Sequence, residues 1–388
     1  MISRRVAIVG VGYTQYTSPR REVREKSEIS MDAVREALRS TGLNLRDIEA
    51  TFYSSVDGFE GYNRSERLQP SFGQNFNLPV YSINTGGTGG ASALKEAYHF
   101  VAAGIYDLVL VYCAPTFNVP VDNNQVLNTA WHPLFEKPIG ENVITFAARM
   151  ARKYMDEYGW SEEIFARVAA KNHMNAANNP YAHLRKGFTY EEIMESPIVS
   201  FPLRLYECCP SSSGGACLIL ASEEKAKEIA EIPVWIKTVE SNTDTFLTGY
   251  RDSLKFDRLE VLANRVYKKT GIKEPLKEID VAETFIPFAN YEFLEYEALG
   301  FCDHGKGPEL LSSMVTTMEG DLPVNPSGSV LCTNAGIAAS LTRFGEIARQ
   351  LMGKAGNIQV RGTPKVGLAH AWGGSNGQFH VLGILYRD

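Results

Sequence analysis

Apolar and polar positions along the chain alternate between two rhythms. Val6-Ala7-Ile8-Val9-Gly10 is a short β-branched run closed by glycine, as a buried strand should be, and 30–40 has helical spacing. Thr51–Ser55 and Val80–Ile83 read as further strands. The cluster Gly86-Gly87-Thr88-Gly89-Gly90 opens an alanine-rich helix over 92–103 that Gly104 stops, and Leu108–Tyr112 follows as a fully buried strand.

From Cys113 to Phe201 the pattern changes to polar loops and amphipathic helices, at 146–158 and 162–178. This predicts a cap inserted at about 114–200. Ala216–Leu220 returns to strand character, and Pro233–Lys237 begins a second series: helix 258–269, strand at Val281, helix 290–299, strand 365–369. Strands alternating with helices imply sheets covered on both faces. The pattern therefore predicts two α/β halves, 1–232 and 233–388, sharing one continuous interface because no low-complexity linker separates them.

Composition narrows the function. A net charge of −6 with dispersed basic residues gives no stripe to neutralise phosphates, so a nucleic-acid partner is not expected. The apolar run after Met1-Ile2-Ser3-Arg4-Arg5 is too short for a signal or a membrane span, so the expectation is a cytoplasmic protein without a membrane partner. Six cysteines without C-x-x-C spacing predict reduced thiols and no metal site. Gly10-Val11-Gly12 lacks the third glycine and the following acidic residue of a dinucleotide fingerprint, which sets aside a nicotinamide dehydrogenase.

Ser200–Ser222, "SFPLRLYECCPSSSGGACLILAS", resembles the block in which thiolases of the sterol-carrier-protein and archaeal type end the cap and re-enter the core. Gly104–Leu110, Tyr296–Cys302 and Val324-Asn325-Pro326-Ser327-Gly328 resemble three further blocks of the family, in order and across nearly the whole chain. The resemblance implies the five-layered αβαβα thiolase fold and a homodimer. It also implies a small companion subunit bearing a zinc ribbon and an OB fold, with coenzyme A as substrate or product rather than a bound cofactor.

The same resemblance puts Gly87 where the family carries its cysteine nucleophile, so covalent catalysis is not expected there. Gly87, Thr88 and Gly373 read either as an oxyanion or CoA-binding cradle or as tight turns. Asn334 and Ala335 stand at the glycine and histidine of the family's second-half motif, leaving Cys332 and Asn334 as polar groups expected to face the pocket. Cys332 also reads as a small buried hydrophobe. His370, in His370-Ala371-Trp372-Gly373-Gly374, is the surviving candidate for acid–base work, or else a hydrogen-bonded structural histidine. His173 and His304 read as surface residues, and His132 is left open.

Phe285-Ile286-Pro287-Phe288 replaces the family's proton-moving pair, and Phe285, Phe288 and Trp372 together suggest a pocket for a bulky or aromatic acyl group, as in a benzoylsuccinyl-CoA thiolase. The expected function is thiolysis or its reverse on a β-ketoacyl-CoA without the usual nucleophile. Two alternatives stand beside it: a retro-aldolase on a β-hydroxyacyl-CoA, and a noncatalytic acyl-CoA-binding scaffold.

Overall fold

Two sets of four strands, traced by one connectivity, join at the middle of a single sheet. A computed structural model describes residues 4–55, 78–113 and 123–388 of the protein. In the first half, β1 (Val6–Tyr13), β2 (Ala50–Ser54), β4 (Leu108–Cys113) and β7 (Ala216–Ser222) lie in the order β2-β4-β7-β1, with β3 (Val80–Ser82) on the outer edge. In the second, β8 (Val234–Thr243), β9 (Val281–Glu283), β10 (Val366–Gly373) and β11 (Phe379–Tyr386) lie in the order β9-β10-β11-β8. Pairing directions repeat as well: β2 with β4 and β9 with β10 are parallel, whereas β4 with β7, β7 with β1, β10 with β11 and β11 with β8 are antiparallel. The halves meet where Ala7 pairs Trp235 and Ile8 pairs Val234. A short hairpin of β5 (Ile198–Ser200) and β6 (Leu203–Arg204) ends the cap.

The helices repeat in the same way. Helix α1 (Lys26–Arg39) packs on β1 and β7, and its counterpart α5 (Asp257–Thr270) packs on β8 and β11. Between the half-sheets lie α2 (Gly89–Ala102) and α8 (Ile337–Met352), in contact with each other and with strands of both halves. Outer helix, half-sheet, paired inner helices, half-sheet and outer helix make the five layers of the expected fold. The sequence reading passed over helix α8, although Ile337, Leu341, Phe344, Ala348 and Leu351 recur at helical spacing. Nearly every one of its residues is buried, Arg343, Glu346 and Gln350 included.

The inner layer is held by buried acids rather than by apolar contact alone. Arg343 on α8 pairs with Glu283 of β9, whose two oxygens also receive Ser327 N at 2.9 Å and Ser327 Oγ at 2.8 Å. Glu292, on α6 (Tyr291–Ala298), pairs with Lys171 of α4 (Glu163–Ala177) and accepts Asn172 Nδ2 at 2.7 Å and Asn325 Nδ2 at 3.2 Å. Buried charges hold only when paired and fully hydrogen-bonded. These two clusters thereby pin the loop 325–328 to the cap helix and to β9. No helix among the described residues is long and apolar enough to cross a membrane.

Candidate functional site

The turn before α2 folds on its own hydroxyls. Thr88, fully buried, donates from Oγ1 to the Thr85 carbonyl at 2.9 Å, and Thr85 donates to Ser92 Oγ at 2.8 Å. With its hydroxyl turned inward, Thr88 presents backbone rather than side chain. Opposite it, β10 ends at Gly373 so closely that a Cβ there would lie 2.7 Å from Gly87 Cα, Gly87 N and Thr88 N alike. At this helix start Gly89 N donates to the Gly86 carbonyl at 2.8 Å and Ala91 N to Ser340 Oγ of α8 at 3.2 Å.

From this contact the neighbours run round in a ring. Beside Gly373, the Trp372 ring meets Phe285 edge to face at 5.5 Å. The Phe285–Phe288 loop pairs with the segment after β6, Cys208 bridging to Phe288 and Cys209 N donating to the Pro287 carbonyl at 2.9 Å. Cys209 Sγ in turn receives Asn334 Nδ2 at 3.1 Å, and Asn334 Oδ1 accepts Gly336 N at 3.1 Å. Helix α8 starts at the next residue, where Ile337 lies against Gly89 and Gly90 of α2. Four loops from both halves and the segment that ends the cap thus close on one place.

Of the candidates read from sequence, this ring brings together Gly87, Thr88, Gly373, Trp372, Phe285, Phe288 and Asn334. Phe285, Phe288 and Trp372 are each only 5–6% exposed and pack on Tyr291 or one another. Cys332 lies elsewhere. It ends the short helix α7 (Ser329–Cys332), is fully buried with Ala176 and Ala182, and its Sγ is 3.5 Å from His173 Nδ1. Burial pushes its thiol far up.

His173 corrects the surface reading: it is fully buried, with Nε2 2.9 Å from the Tyr206 carbonyl, because the face of α4 that carries it packs on Phe188, Tyr206 and Cys332. His304 is half-buried between Glu260 and Glu297, and His132 stacks on Phe135. His370 stands behind the ring rather than in it. It is fully buried, with Nδ1 2.7 Å from Glu295 Oε2 and Nε2 3.2 Å from His380 Nδ1, and burial lowers it to about 3.

Sequence reasoning passed over Cys209, Glu295, His380 and His183. Cys209 lay in plain view in the block Ser200–Ser222, and burial pushes its thiol up to about 11 while the Asn334 amide pulls it down. His183 sits behind Asn334, its Nδ1 2.9 Å from Ser212 Oγ, and Ser212 N donates to the Asn334 carbonyl at 2.8 Å. Among the described residues no group of three or more His, Cys, Asp or Glu side chains could hold a metal ion.

Comparison with known proteins agrees with this architecture. Residues 241–386 match the Thiolase C-terminal domain-like family. An acetyl-CoA acetyltransferase of Methanothermobacter thermautotrophicus is 30% identical over 381 residues, 96% of this chain and 97% of that protein. The benzoylsuccinyl-CoA thiolase subunit BbsB of Thauera aromatica is 26% identical over 375 residues, 96% of each. Among solved structures, a chain of the Ltp2-ChsH2(DUF35) aldolase superposes with a TM-score of 0.84 at 24% identity, covering 100% of this chain and 99% of that one. With its doubled α/β halves, its four-loop ring and these relatives, the chain belongs to the thiolase family.

Proposed function

We propose that the protein makes or breaks the carbon–carbon bond of a β-ketoacyl-CoA without forming an acyl-enzyme. The observation that carries this reading is the ring itself: backbone N–H groups at Gly87, Thr88 and Gly373 on one side, and Cys209 with Asn334 on the other. Glycine at position 87 offers no nucleophile, and the three hydroxyls beside it are bonded to each other.

In the cleavage direction CoA, entering as its thiolate, adds through sulfur to the keto carbon, while Cys209, whose thiol burial pushes up to about 11, is protonated. The Cα–Cβ bond breaks, its electron pair passes into the thioester enolate held by the backbone donors, and the Cys209 thiol gives its proton to carbon and is reprotonated from water. Atoms and charge balance: one β-ketoacyl-CoA and one CoA give two acyl-CoA molecules. The amide of Asn334 donates to the Cys209 sulfur and only partly offsets burial, and His370 is given a positioning part. Phe285, Phe288 and Trp372 form the apolar acyl wall, which suits a bulky or aromatic acyl group of the kind named for BbsB.

Because BbsB is named as a subunit and the structural neighbour is a complex with a DUF35 protein, we extend the proposal to a homodimer that works with a companion subunit. The test is product analysis with purified protein, with and without its companion, on matched β-ketoacyl-CoA and β-hydroxyacyl-CoA. Two acyl-CoA products from the keto substrate with CoA support the proposal. Release of an aldehyde or ketone from the hydroxy substrate alone would replace it with the aldolase reading, and CoA binding without turnover would replace it with the scaffold.

A further inference from the structure

The turn between β10 and β11 is held from outside. Residues 374–378 connect Gly373 to Phe379, and Gly374, Asn376 and Gly377 all have positive φ, Asn376 at 48° without the freedom of glycine. Asn376 N donates to the Gly374 carbonyl at 2.7 Å. The carbonyls of Ser375 and Asn376 are taken by Arg251 Nη1, the second at 3.1 Å. The same guanidinium reaches the loop after β8: Nε donates to the Thr245 carbonyl at 2.8 Å, and Nη2 to the Thr245 and Phe246 carbonyls, the latter at 3.2 Å. These bonds match the five N–H donors of an arginine, and every acceptor is backbone. Asp244 stands 3.9 Å from Nε, near enough to balance the charge but beyond hydrogen-bond reach.

Both ends of this clamp are fixed. Thr248 N and Oγ1 donate to Glu136 Oε1 at 2.8 and 2.6 Å, and Glu136 Oε2 accepts His132 N at 2.8 Å, so the cap segment anchors the loop that carries Arg251. At the other end Asn376 Oδ1 accepts from the Tyr291 hydroxyl at 2.7 Å, and the Tyr291 ring packs on Trp372 at 4.9 Å. The turn leaves β10 at Gly373, whose backbone meets Gly87, and a Cβ on Gly86 would find Gly374 N at 3.6 Å. Moving the turn therefore moves one edge of the ring.

We infer that Arg251 is a positioning residue: by clamping the 374–378 turn to the loop after β8 it sets Gly373 against Gly87, and with that contact the backbone donors of the carbon–carbon bond step. A planar guanidinium does this where an ammonium does not, because its fork spans carbonyls of two segments at once. The catalytic consequence rests on the reading of Gly373 under the proposed function; the clamp itself does not.

The experiment has two arms, both on the full-length protein. Peptide-resolved hydrogen exchange of wild type and Arg251→Ala needs no substrate. Exchange at 374–379 and at 84–90 should rise together by at least about tenfold, while α1 keeps the wild-type rate. In the kinetic arm, kcat on a β-ketoacyl-CoA should fall roughly a hundredfold with KM within about threefold, and millimolar ethylguanidinium should restore at least about tenfold of kcat. If the alanine variant does not fold, Arg251→Lys, which keeps the charge but not the fork, should show the same paired rise and decides in its place. Unchanged exchange at the turn, a rise there that leaves 84–90 at the wild-type rate, or a loss of kcat that ethylguanidinium leaves unrestored overturns the inference. A paired rise with unchanged kcat in folded protein overturns the Gly373 reading and leaves the clamp standing.

Discussion

A Cβ on Gly373 would stand 2.7 Å from both Cα and N of Gly87, whereas a Cβ on Gly87 would find its nearest atom, Gly373 Cα, at 3.2 Å. The contact is unequal. Gly373→Ala must push one backbone off another, and overpacking of this kind costs about 1–3 kcal/mol. Gly87→Ala needs a shift of only tenths of an ångström. Denaturant unfolding should separate the two variants by at least about 1 kcal/mol. Because the helix start moves, Gly373→Ala should also lose roughly a hundredfold in kcat/KM.

Cys209 and Asn334 give a chemical prediction. With its thiol pushed up to about 11, Cys209 should react with iodoacetamide more slowly at neutral pH than an ordinary thiol. Asn334→Ala removes the amide that pulls the thiol down and should slow alkylation further, read by mass spectrometry of the Cys209 peptide. Cys209→Ala should lower kcat by roughly a hundredfold with little change in CoA affinity. Full activity in that variant would move the proton transfer to another group, with His183 the next imidazole to test.

Glu207 predicts a pH dependence of stability. Its carboxyl is buried beside the Cys208–Cys209 segment, and burial raises it to about 7 against the pull of the Arg204 backbone and guanidinium. The folded state thus holds this proton more tightly than the unfolded chain does. Its contribution is fully present below about 4.5 and is lost as pH rises through about 7. Glu207→Gln should flatten that part of the stability curve, by at most about 3.5 kcal/mol at one pKa unit per 1.36 kcal/mol. Urea midpoints of both proteins between pH 4.5 and 8 check it.

Much of the fold was legible because each strand of the repeat is a short β-branched run and each outer helix has a solvent face. β11, Phe379–Tyr386, was missed although Gly374-Ser375-Asn376-Gly377 is a turn signal between it and β10. α8 was passed over although Ile337, Leu341, Phe344 and Leu351 stand at helical spacing opposite Arg343, Glu346 and Gln350. In the site, the blocks around Gly87, Asn334 and Gly373 were legible because local motifs carry them. Glu295 and His380 were not, since only the approach of α6 to paired strands brings them to His370. Likewise nothing in the spacing of Cys332 and His173, 159 residues apart, announces that they touch.

The most direct test is a single turnover of β-ketoacyl-CoA with excess protein, quenched with and without free CoA and read by intact-protein and product mass spectrometry. Direct attack by CoA predicts no cleavage until CoA is added, then equal amounts of two acyl-CoA products, with the chain at its unmodified mass throughout. Cleavage without CoA, leaving an acyl group on any cysteine of the chain, would contradict it.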